Sequence, residues 1–257
     1  MRHLLMIHGV GCGGDAWDVM RSKFEAAGWA CAAPTLFPDK RTLENPPAAL
    51  NALRLQDYID QTMAWAKSAE DQHGRKPVII GHSMGGLIAQ AAAAAGAAEA
   101  AIFLTPAPPK DCAVQAVTAL ITFGNIVAKG EAKAREMPHK VWRRGFGYGV
   151  LNRVDPEFHD EIYKGSRFDS GQVYGDLVDG LDVDEAMINV PTLTIGARHD
   201  RATPVRGARK MAAKYANSPV PGDYLEYQNS GHWLVDEPAT DQMVADILAW
   251  LDRKVPA

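Results

Sequence analysis

The sequence predicts an α/β domain built around a mainly parallel sheet, and three observations support this prediction. The chain has 257 residues, which suits one large domain better than two with a linker. Short apolar runs alternate with segments of helical periodicity, as parallel strands joined by crossover helices require. Two of these runs pass directly into glycine-rich loops, at residues 9–14 and 81–86. Such loops lie at the edge where open α/β sheets bind ligands.

Six apolar runs have the length and composition of strands. They lie at residues 4–7, 29–35, 77–80, 101–104, 192–195 and 224–227. Apolar residues at helical spacing predict helices at residues 17–27, 55–72, 87–95, 205–215 and 240–250. We therefore expect a sheet of about six strands flanked by helices.

Residues 110–184 interrupt this alternation and are called the inserted segment here. The segment contains Trp142 and several glycines, and it shows little of the period-2 alternation of strands. It is too long for a loop without structure of its own, so we expect a mostly helical insertion. The predicted organisation is a core of residues 1–109 and 185–257 with an insertion at 110–184.

Composition and charge narrow the class of partner. The formal net charge of -4 gives no reason to expect nucleic acid or an anionic membrane as partner. No segment approaches the roughly 18 apolar residues of a membrane helix. The apolar run at residues 4–7 is shorter than the roughly 7–15 residues that a signal peptide needs. The cysteines Cys12, Cys31 and Cys112 form no metal-binding pattern. We therefore expect a cytoplasmic protein without metal or membrane insertion, and the oligomeric state stays open.

The strongest chemical signal is the G-x-S-x-G pattern centred on Ser83, in Gly81-His82-Ser83-Met84-Gly85. It follows a predicted strand and precedes a predicted helix, which is the context that this motif requires. A sharp strand-to-helix turn exposes the serine oxygen, and the helix N-terminus adds a positive dipole there. The alternative is a turn in which serine occurs by chance. The context favours Ser83 as a nucleophile.

A serine hydroxyl needs a base to become a nucleophile, and His232 is the preferred candidate. In folds with this turn, the order along the chain is Ser, then acid, then His. Only His199 and His232 follow Ser83 outside the inserted segment. His232 follows the last predicted strand, whereas His199 adjoins the acid candidate and is expected to be solvated. The alternative for His232 is a structural loop histidine.

The acid that orients this histidine is expected to be Asp200, which follows the strand predicted at 192–195. Asp236 and Asp184 are the alternatives. Asp236 is only four residues from His232 and could cap a helix, and Asp184 precedes its strand and so belongs at the opposite edge of the sheet.

Two backbone N–H groups are needed to stabilise an oxyanion. Met84, directly after the nucleophile, supplies one, and the loop after the first strand supplies the other. In that loop Val10 is the preferred donor and Gly11 the second choice. A phosphate-binding loop is a rival reading of residues 9–14, but no acidic residue stands where a ribose would bind. Cys12 lies in the same loop without a base near it in sequence.

These segments resemble the α/β-hydrolase superfamily, and most of all its esterase, lactonase and monoglyceride-lipase-like members. The resemblance rests on His8-Gly9, on the turn at 81–86, on the span from Gly196 to Pro204 and on Ser230-Gly231-His232. It implies a triad of Ser83, Asp200 and His232, and a cap formed by the inserted segment. The chain departs from the family in two ways. Its first strand leads straight into His-Gly without the usual N-terminal hairpin, and its second-strand loop lacks the common D-x-x-G-x-G-x-S.

We therefore expect a carboxylic ester hydrolase that acts on small to medium, largely apolar esters through an acyl-enzyme, without a cofactor. A lactonase, a carbon–carbon bond hydrolase or a small-ligand receptor of the same fold would share these residues. Haloalkane dehalogenase chemistry is disfavoured because it needs Asp in place of Ser83. Apolar residues of the inserted segment could line the pocket or form the core of the cap: Ile121, Phe123, Trp142, Phe146, Tyr148 and Phe158.

Overall fold

The computed structural model describes residues 2–255, and its strands form one fully parallel sheet. The strands are β1 His3–Ile7, β2 Ala30–Ala32, β3 Val78–His82, β4 Ala100–Leu104, β5 Thr192–Ala197 and β6 Asp223–Tyr227. Their order across the sheet is β2-β1-β3-β4-β5-β6. From β1 the chain adds β2 on one side, and from β3 onward it adds strands on the other side. The gap between β1 and β3 is therefore a topological switch point, where open α/β sheets bind ligands.

Helices connect the strands. They are α1 Asp18–Ala26, α2 Leu55–His73, α3 Met84–Ala94, α4 Val117–Thr122, α5 Gly124–Val127, α6 Glu131–Arg135, α7 Arg143–Gly145, α8 His159–Lys164, α9 Gly171–Asp179, α10 Val205–Tyr215 and α11 Thr240–Lys254. Helices α4–α9 belong to the inserted segment, which also contains a single π-helical turn at Phe146–Val150. Within residues 2–255, every helix is too short or too polar to cross a membrane.

Alternating side chains of each strand build a core on each face of the sheet. Leu4 and Met6 of β1 pack in the cluster that includes residues of α1 and α11. Leu5 and Ile7 pack on the opposite face, with residues of α2, α3 and α10. Every residue of β1, β3, β4 and β5 is buried. This burial on both faces explains why these strands are continuous apolar runs in the sequence.

The sequence-based elements agree with the structure in kind and differ at their ends. The strand expected at 29–35 is confined to Ala30–Ala32, at the edge of the sheet, because Pro34 has no N–H to continue the ladder. The helix expected at 87–95 begins three residues earlier, at Met84, directly after Ser83. The final helix continues to Lys254, and the inserted segment is helical as expected.

Candidate active site

Ser83 lies in the tight turn between β3 and α3. Its φ of 56° and ψ of -120° are rare for a residue other than glycine, so the surroundings must hold the turn against strain. The Ser83 N–H donates to the Leu104 carbonyl at 3.0 Å, and the Ser83 carbonyl accepts from Gly86 and Ala107 at 2.9 and 2.8 Å. These bonds fix Ser83 at the carboxyl end of β3.

Two glycines allow this turn to pack closely. A Cβ atom at Gly81 would lie 2.0 Å from the Gly85 carbonyl oxygen. A Cβ atom at Gly85 would lie 2.1 Å from the carbonyl oxygen of Ile7. A larger residue at either position would push α3 away from the sheet, so the glycines of the pattern permit the close approach of helix and sheet.

His232 and Asp200 lie side by side at the same edge of the sheet. Nδ1 of His232 is 2.9 Å from Oδ2 of Asp200, and both side chains are buried. The other oxygen of Asp200 accepts the N–H groups of Ala202 and Thr203 at 2.9 and 2.8 Å. The carboxylate is therefore held with Oδ2 toward the imidazole.

Thr203 adds a side-chain contact to this pair. Its hydroxyl lies 2.8 Å from Oδ2 of Asp200, 2.8 Å from the Thr105 carbonyl oxygen and 3.2 Å from Nδ1 of His232. A hydroxyl has one proton to donate, so it donates either to Asp200 or to the Thr105 carbonyl, and a protonated Nδ1 of His232 can only donate to it. The Thr203 hydroxyl therefore lies between the acid and the end of β4, the strand that Thr105 follows.

The backbone on both sides of His232 is also held. The His232 carbonyl accepts from Nε2 of His82 at 2.8 Å and from the Thr105 hydroxyl at 3.1 Å. Burial, together with the neighbouring His232, lowers the pKa of His82 to about 3, so His82 is neutral and donates through Nε2. The buried Glu237 carboxylate accepts the two N–H groups that flank His232, at 2.8 and 3.1 Å.

The alternative acid and base candidates lie elsewhere. Asp236 is exposed, and its own N–H bonds to the Trp233 carbonyl. Asp184 is exposed and accepts the N–H of Ala186, which caps a short 3₁₀ helix. His199 is exposed as well. Among these candidates, the contact with His232 is made by Asp200.

Ser83 and His232 line one small cavity. Its volume is about 10 Å³, close to the smallest space that holds a water molecule. Both hydrogen bonds of the His232 ring are at Nδ1, so Nε2 is left for the cavity. Within residues 2–255, no hydrogen bond joins the Ser83 hydroxyl to this ring. Catalytic hydrogen bonds of free enzymes are often long and tighten when substrate binds.

The inserted segment covers this cavity with apolar side chains: Phe123, Val141, Phe146 and Val150. Of the six residues that the sequence offered for a pocket, Phe123 and Phe146 lie here. Ile121, Trp142 and Phe158 are exposed, and Tyr148 stacks under the guanidinium of Arg201 at 4.6 Å. These four residues lie outside the lining of the Ser83 cavity, and Phe158 lines another cleft, of about 590 Å³, with Ile162 and Pro238.

Val10 and Met84 both lie beside Ser83. Val10 lines the cavity, in a turn closed by the Cys12 N–H and the Gly9 carbonyl at 3.2 Å. Met84 is the first residue of α3, where backbone N–H groups have no partner within the helix. The N–H of Gly11, the second choice for an oxyanion donor, instead donates to the Asp169 carboxylate at 2.5 Å. This contact engages the Gly11 N–H, so Val10 is the preferred candidate for an oxyanion donor in that loop.

Cys12 also lines the cavity, but its chemistry differs from that of an activated nucleophile. Burial raises the pKa of the Cys12 thiol to about 12, while the charges of Arg41 and Asp169 act on that pKa in opposite directions. The reactive form of cysteine is the thiolate, so this thiol is held in its unreactive form near neutral pH.

Sequence reasoning missed four polar residues around the site: the buried Arg41, Asp169 and Glu237, and the half-buried Thr203. Thr203 is only three residues from Asp200, so its contact with that acid is within reach of local sequence reasoning. Arg41 and Asp169 bond to partners that are distant in sequence. Glu237 accepts N–H groups of an irregular loop, which has no pattern in the sequence.

The sequence profile of the alpha/beta hydrolase family matches residues 4–246. The chain belongs to the alpha/beta hydrolase family. None of the curated proteins matches the chain.

Solved structures of several enzymes share this fold. A monoacylglycerol lipase from Paleococcus ferrophilus superposes with a TM-score of 0.70 at 17% identity, covering 98% of this chain and 94% of the lipase. A methylesterase from Arabidopsis gives 0.70 at 17% identity, covering 98% of this chain and 100% of the methylesterase. Methylketone synthase I from tomato, in complex with 2-tridecanone, gives 0.71 at 18% identity over 98% of both chains. At these identities the likeness concerns the fold.

Proposed function

We propose that this protein is a serine hydrolase that cleaves carboxylic esters of small to medium, largely apolar substrates. One observation carries the proposal: Ser83, in a strained turn, shares a cavity with His232, whose other ring nitrogen bonds to the buried Asp200. Membership of the alpha/beta hydrolase family supports it. The esterase and lipase names among structures of the same fold agree with it.

In this mechanism Ser83 is the nucleophile and His232 the general base. The Ser83 oxygen attacks the ester carbonyl carbon while Nε2 of His232 takes its proton, and the same proton then passes to the leaving alcohol. Asp200 keeps the second proton on Nδ1 and stabilises the imidazolium. A water molecule, deprotonated by His232, next attacks the acyl carbon. The bond between that carbon and the Ser83 oxygen breaks, the acid leaves, and His232 returns the proton to the Ser83 oxygen.

The negative charge of the tetrahedral intermediate needs donors already in place. The Val10 and Met84 N–H groups supply them, aided by the positive end of the α3 dipole. Gly9 lets the loop approach closely, since a Cβ there would lie 2.9 Å from the Cβ of Ser83.

The inserted segment acts as a cap over this site. The cavity of about 10 Å³ is far too small for an acyl group, so side chains of the cap must move to admit substrate. A larger cleft of about 280 Å³ lies next to it and shares Cys12 and Phe146 with the cavity. Phe146 therefore lines both spaces. It begins the π-helical turn, a distortion often found at functional sites.

The test is hydrolysis of a series of p-nitrophenyl esters, from acetate to octanoate, by wild type and Ser83→Ala. We expect saturable turnover by wild type and a loss of roughly 10³-fold or more in the variant. Ser218→Ala is the matched control, since it removes a buried serine hydroxyl after α10, and it should retain wild-type kcat.

Wild-type turnover by Ser83→Ala would remove Ser83 as the nucleophile. Covalent labelling of Ser83 by a fluorophosphonate without ester turnover would favour another substrate, such as a lactone or a carbon–carbon bond. The absence of both labelling and turnover would favour a ligand-binding protein and contradict the proposal.

A further inference from the structure

The strongest polar cluster outside the proposed triad is centred on Asp169 of the inserted segment. Its side chain is fully buried, and both of its oxygens are engaged. Oδ1 accepts from Nε of Arg41 at 2.5 Å and from the Tyr58 hydroxyl at 2.8 Å. Oδ2 accepts from Nη2 of Arg41 at 2.8 Å and from the Gly11 N–H at 2.5 Å. The carboxylate thus connects the inserted segment, α2 and the loop after β1.

Arg41 extends the cluster along that loop. Its Nη2 donates to the Cys12 carbonyl at 2.9 Å, and its Nη1 lies 3.1 Å from Nε2 of His8. His8 also accepts the Leu36 N–H at Nε2 and contacts the Gly9 carbonyl through Nδ1, at 3.0 and 2.9 Å. Arg41 therefore holds both the residue before the Gly9–Cys12 turn and the last residue of that turn.

Gly11, the third residue of the same turn, is hydrogen bonded through both its N–H and its carbonyl group. Gly11 gives its N–H to Asp169, and its carbonyl accepts the Arg167 N–H at 2.8 Å. Its φ of 72° is in the left-handed region, so the turn depends on this glycine and these partners. Val10, the proposed oxyanion donor, lies between His8, which Arg41 contacts, and Gly11, which Asp169 contacts.

The charges of the cluster favour a rigid arrangement. Burial alone would lower the pKa of Arg41, but the charge of Asp169 and its hydrogen bonds outweigh burial and raise that pKa. A fully buried ion pair is weak evidence for stability, because desolvation offsets its attraction. Its directional hydrogen bonds do fix the groups that they join.

We propose that Asp169, paired with Arg41, is a positioning residue that holds the Val10 N–H in place for the oxyanion. The inference rests on the proposed function, because it assigns a task to the oxyanion loop of that same site. It also implies that residues 167–169 remain hydrogen bonded to the loop after β1 while other parts of the cap move.

The experiment compares Asp169→Asn with wild type on a short aryl ester. Loss of a well-placed oxyanion donor costs roughly 10²–10³-fold in kcat, so a displaced donor should cost about tenfold to a hundredfold. We expect KM to change little, and the affinity for a trifluoromethyl ketone to fall by the same factor as kcat/KM, because both depend on the oxyanion. A general loosening of the structure would not produce this match.

Asp176→Asn is the matched control. Asp176 also joins the inserted segment to the core through a bidentate contact with Arg54, at the start of α2. It is outside the lining of the Ser83 cavity. This variant should keep kcat and ketone affinity within about twofold of wild type, because the ion pair it weakens is partly exposed and lies away from that cavity. Equal losses in both variants would overturn the inference.

Two further variants keep the inference testable if Asp169→Asn does not fold. Arg41→Lys keeps the charge but cannot bridge the three partners of a guanidinium, so kcat should fall with KM unchanged. Tyr58→Phe removes one hydrogen bond from Asp169 and should lower kcat about threefold. Wild-type kcat in Asp169→Asn or in both of these variants would contradict the inference.

The outcomes for the inference and for the proposed function differ. If wild type turns over no ester but a fluorophosphonate labels Ser83, the proposed substrate class fails and the inference is tested by the labelling rate. That rate should fall about tenfold or more in Asp169→Asn, because the P=O oxygen occupies the same hole. Equal labelling rates in the two proteins would overturn the inference. If wild type shows neither ester turnover nor labelling of Ser83, both the proposed function and the inference are overturned.

Discussion

Nδ1 of His232 lies 2.9 Å from Oδ2 of Asp200, although the two residues follow different strands of the sheet. Asp200 follows β5 and His232 follows β6, and these strands are neighbours in a parallel sheet. The carboxyl ends of parallel strands meet at one edge, so topology brings the acid to the base. Replacement of Asp200 by Asn should lower kcat by roughly 10³–10⁴-fold, because the amide favours the wrong imidazole tautomer.

The control for this prediction is Asp236→Asn, which changes an exposed carboxyl four residues from His232. We expect its kcat to stay within about twofold of wild type, as for most exposed sites. A large loss in Asp236→Asn with normal kcat in Asp200→Asn would move the acid role to Asp236.

Thr203 braces Asp200, so its hydroxyl should matter for rate. Thr203→Val removes a hydrogen bond to a buried charged group and should lower kcat about tenfold, with a smaller change in KM. Thr203→Ser keeps the hydroxyl and should recover most of the rate. Steady-state kinetics of the three proteins on one ester check this; identical kcat for Val and Ser variants would exclude a role for the hydroxyl.

Phe146 lines both the cavity and the adjacent cleft, so we expect its side chain to act as a barrier between them and its size to set acyl preference. Phe146→Leu should raise the ratio of kcat/KM for hexanoate over acetate by about tenfold, since a few methylenes in an apolar pocket are worth that much. Phe158→Leu changes an exposed phenylalanine of the same segment and should leave the ratio unchanged. A ratio altered equally by both substitutions would count against Phe146 as the barrier.

Acid should destabilise the protein through its buried histidines. Burial lowers the pKa of His82 to about 3, whereas the unfolded chain has the ordinary value of 6.5. Below pH 6.5 the unfolded state binds the proton that the folded state excludes, so stability falls as pH falls from 6.5 toward 3. Each such histidine contributes about 1.4 kcal/mol per pH unit in that window.

Urea unfolding of wild type and His82→Gln at pH 7.5 and 5.5 measures this effect. The variant should be less stable at pH 7.5, since it loses the contact with the His232 carbonyl, and it should lose less stability on acidification. His73→Gln, at an exposed position, should show the wild-type pH dependence. A His82→Gln curve parallel to wild type would show that His82 is not the titrating group.

The sequence was sufficient for those parts of the fold and site that depend on local pattern. Buried strands are apolar runs because both faces of the sheet are covered, and the serine turn has its glycines within two residues. Asp200 and His232 were placed together by the rule that parallel strands end at one edge. Their neighbour Thr203 is three residues from Asp200 and could have been found by the same local reasoning.

The cluster around Asp169 could not be predicted in this way. Arg41 and Asp169 are 128 residues apart, in a proline-rich loop and an irregular stretch of the inserted segment. No periodicity relates two such residues, and a buried ion pair has no signature in composition. The closed cavity was equally hidden, because it depends on how the short helices of the inserted segment settle on the sheet.

The central claim, that Ser83 carries the acyl group, is tested most directly by trapping that intermediate. Wild type and Ser83→Ala are mixed with a p-nitrophenyl ester, quenched in acid within the first turnovers and digested for peptide mass spectrometry. We predict an acyl group on the peptide that contains Ser83 in wild type and none in the variant. An acyl group on Cys12, or an acylated and fully active Ser83→Ala protein, would contradict the claim.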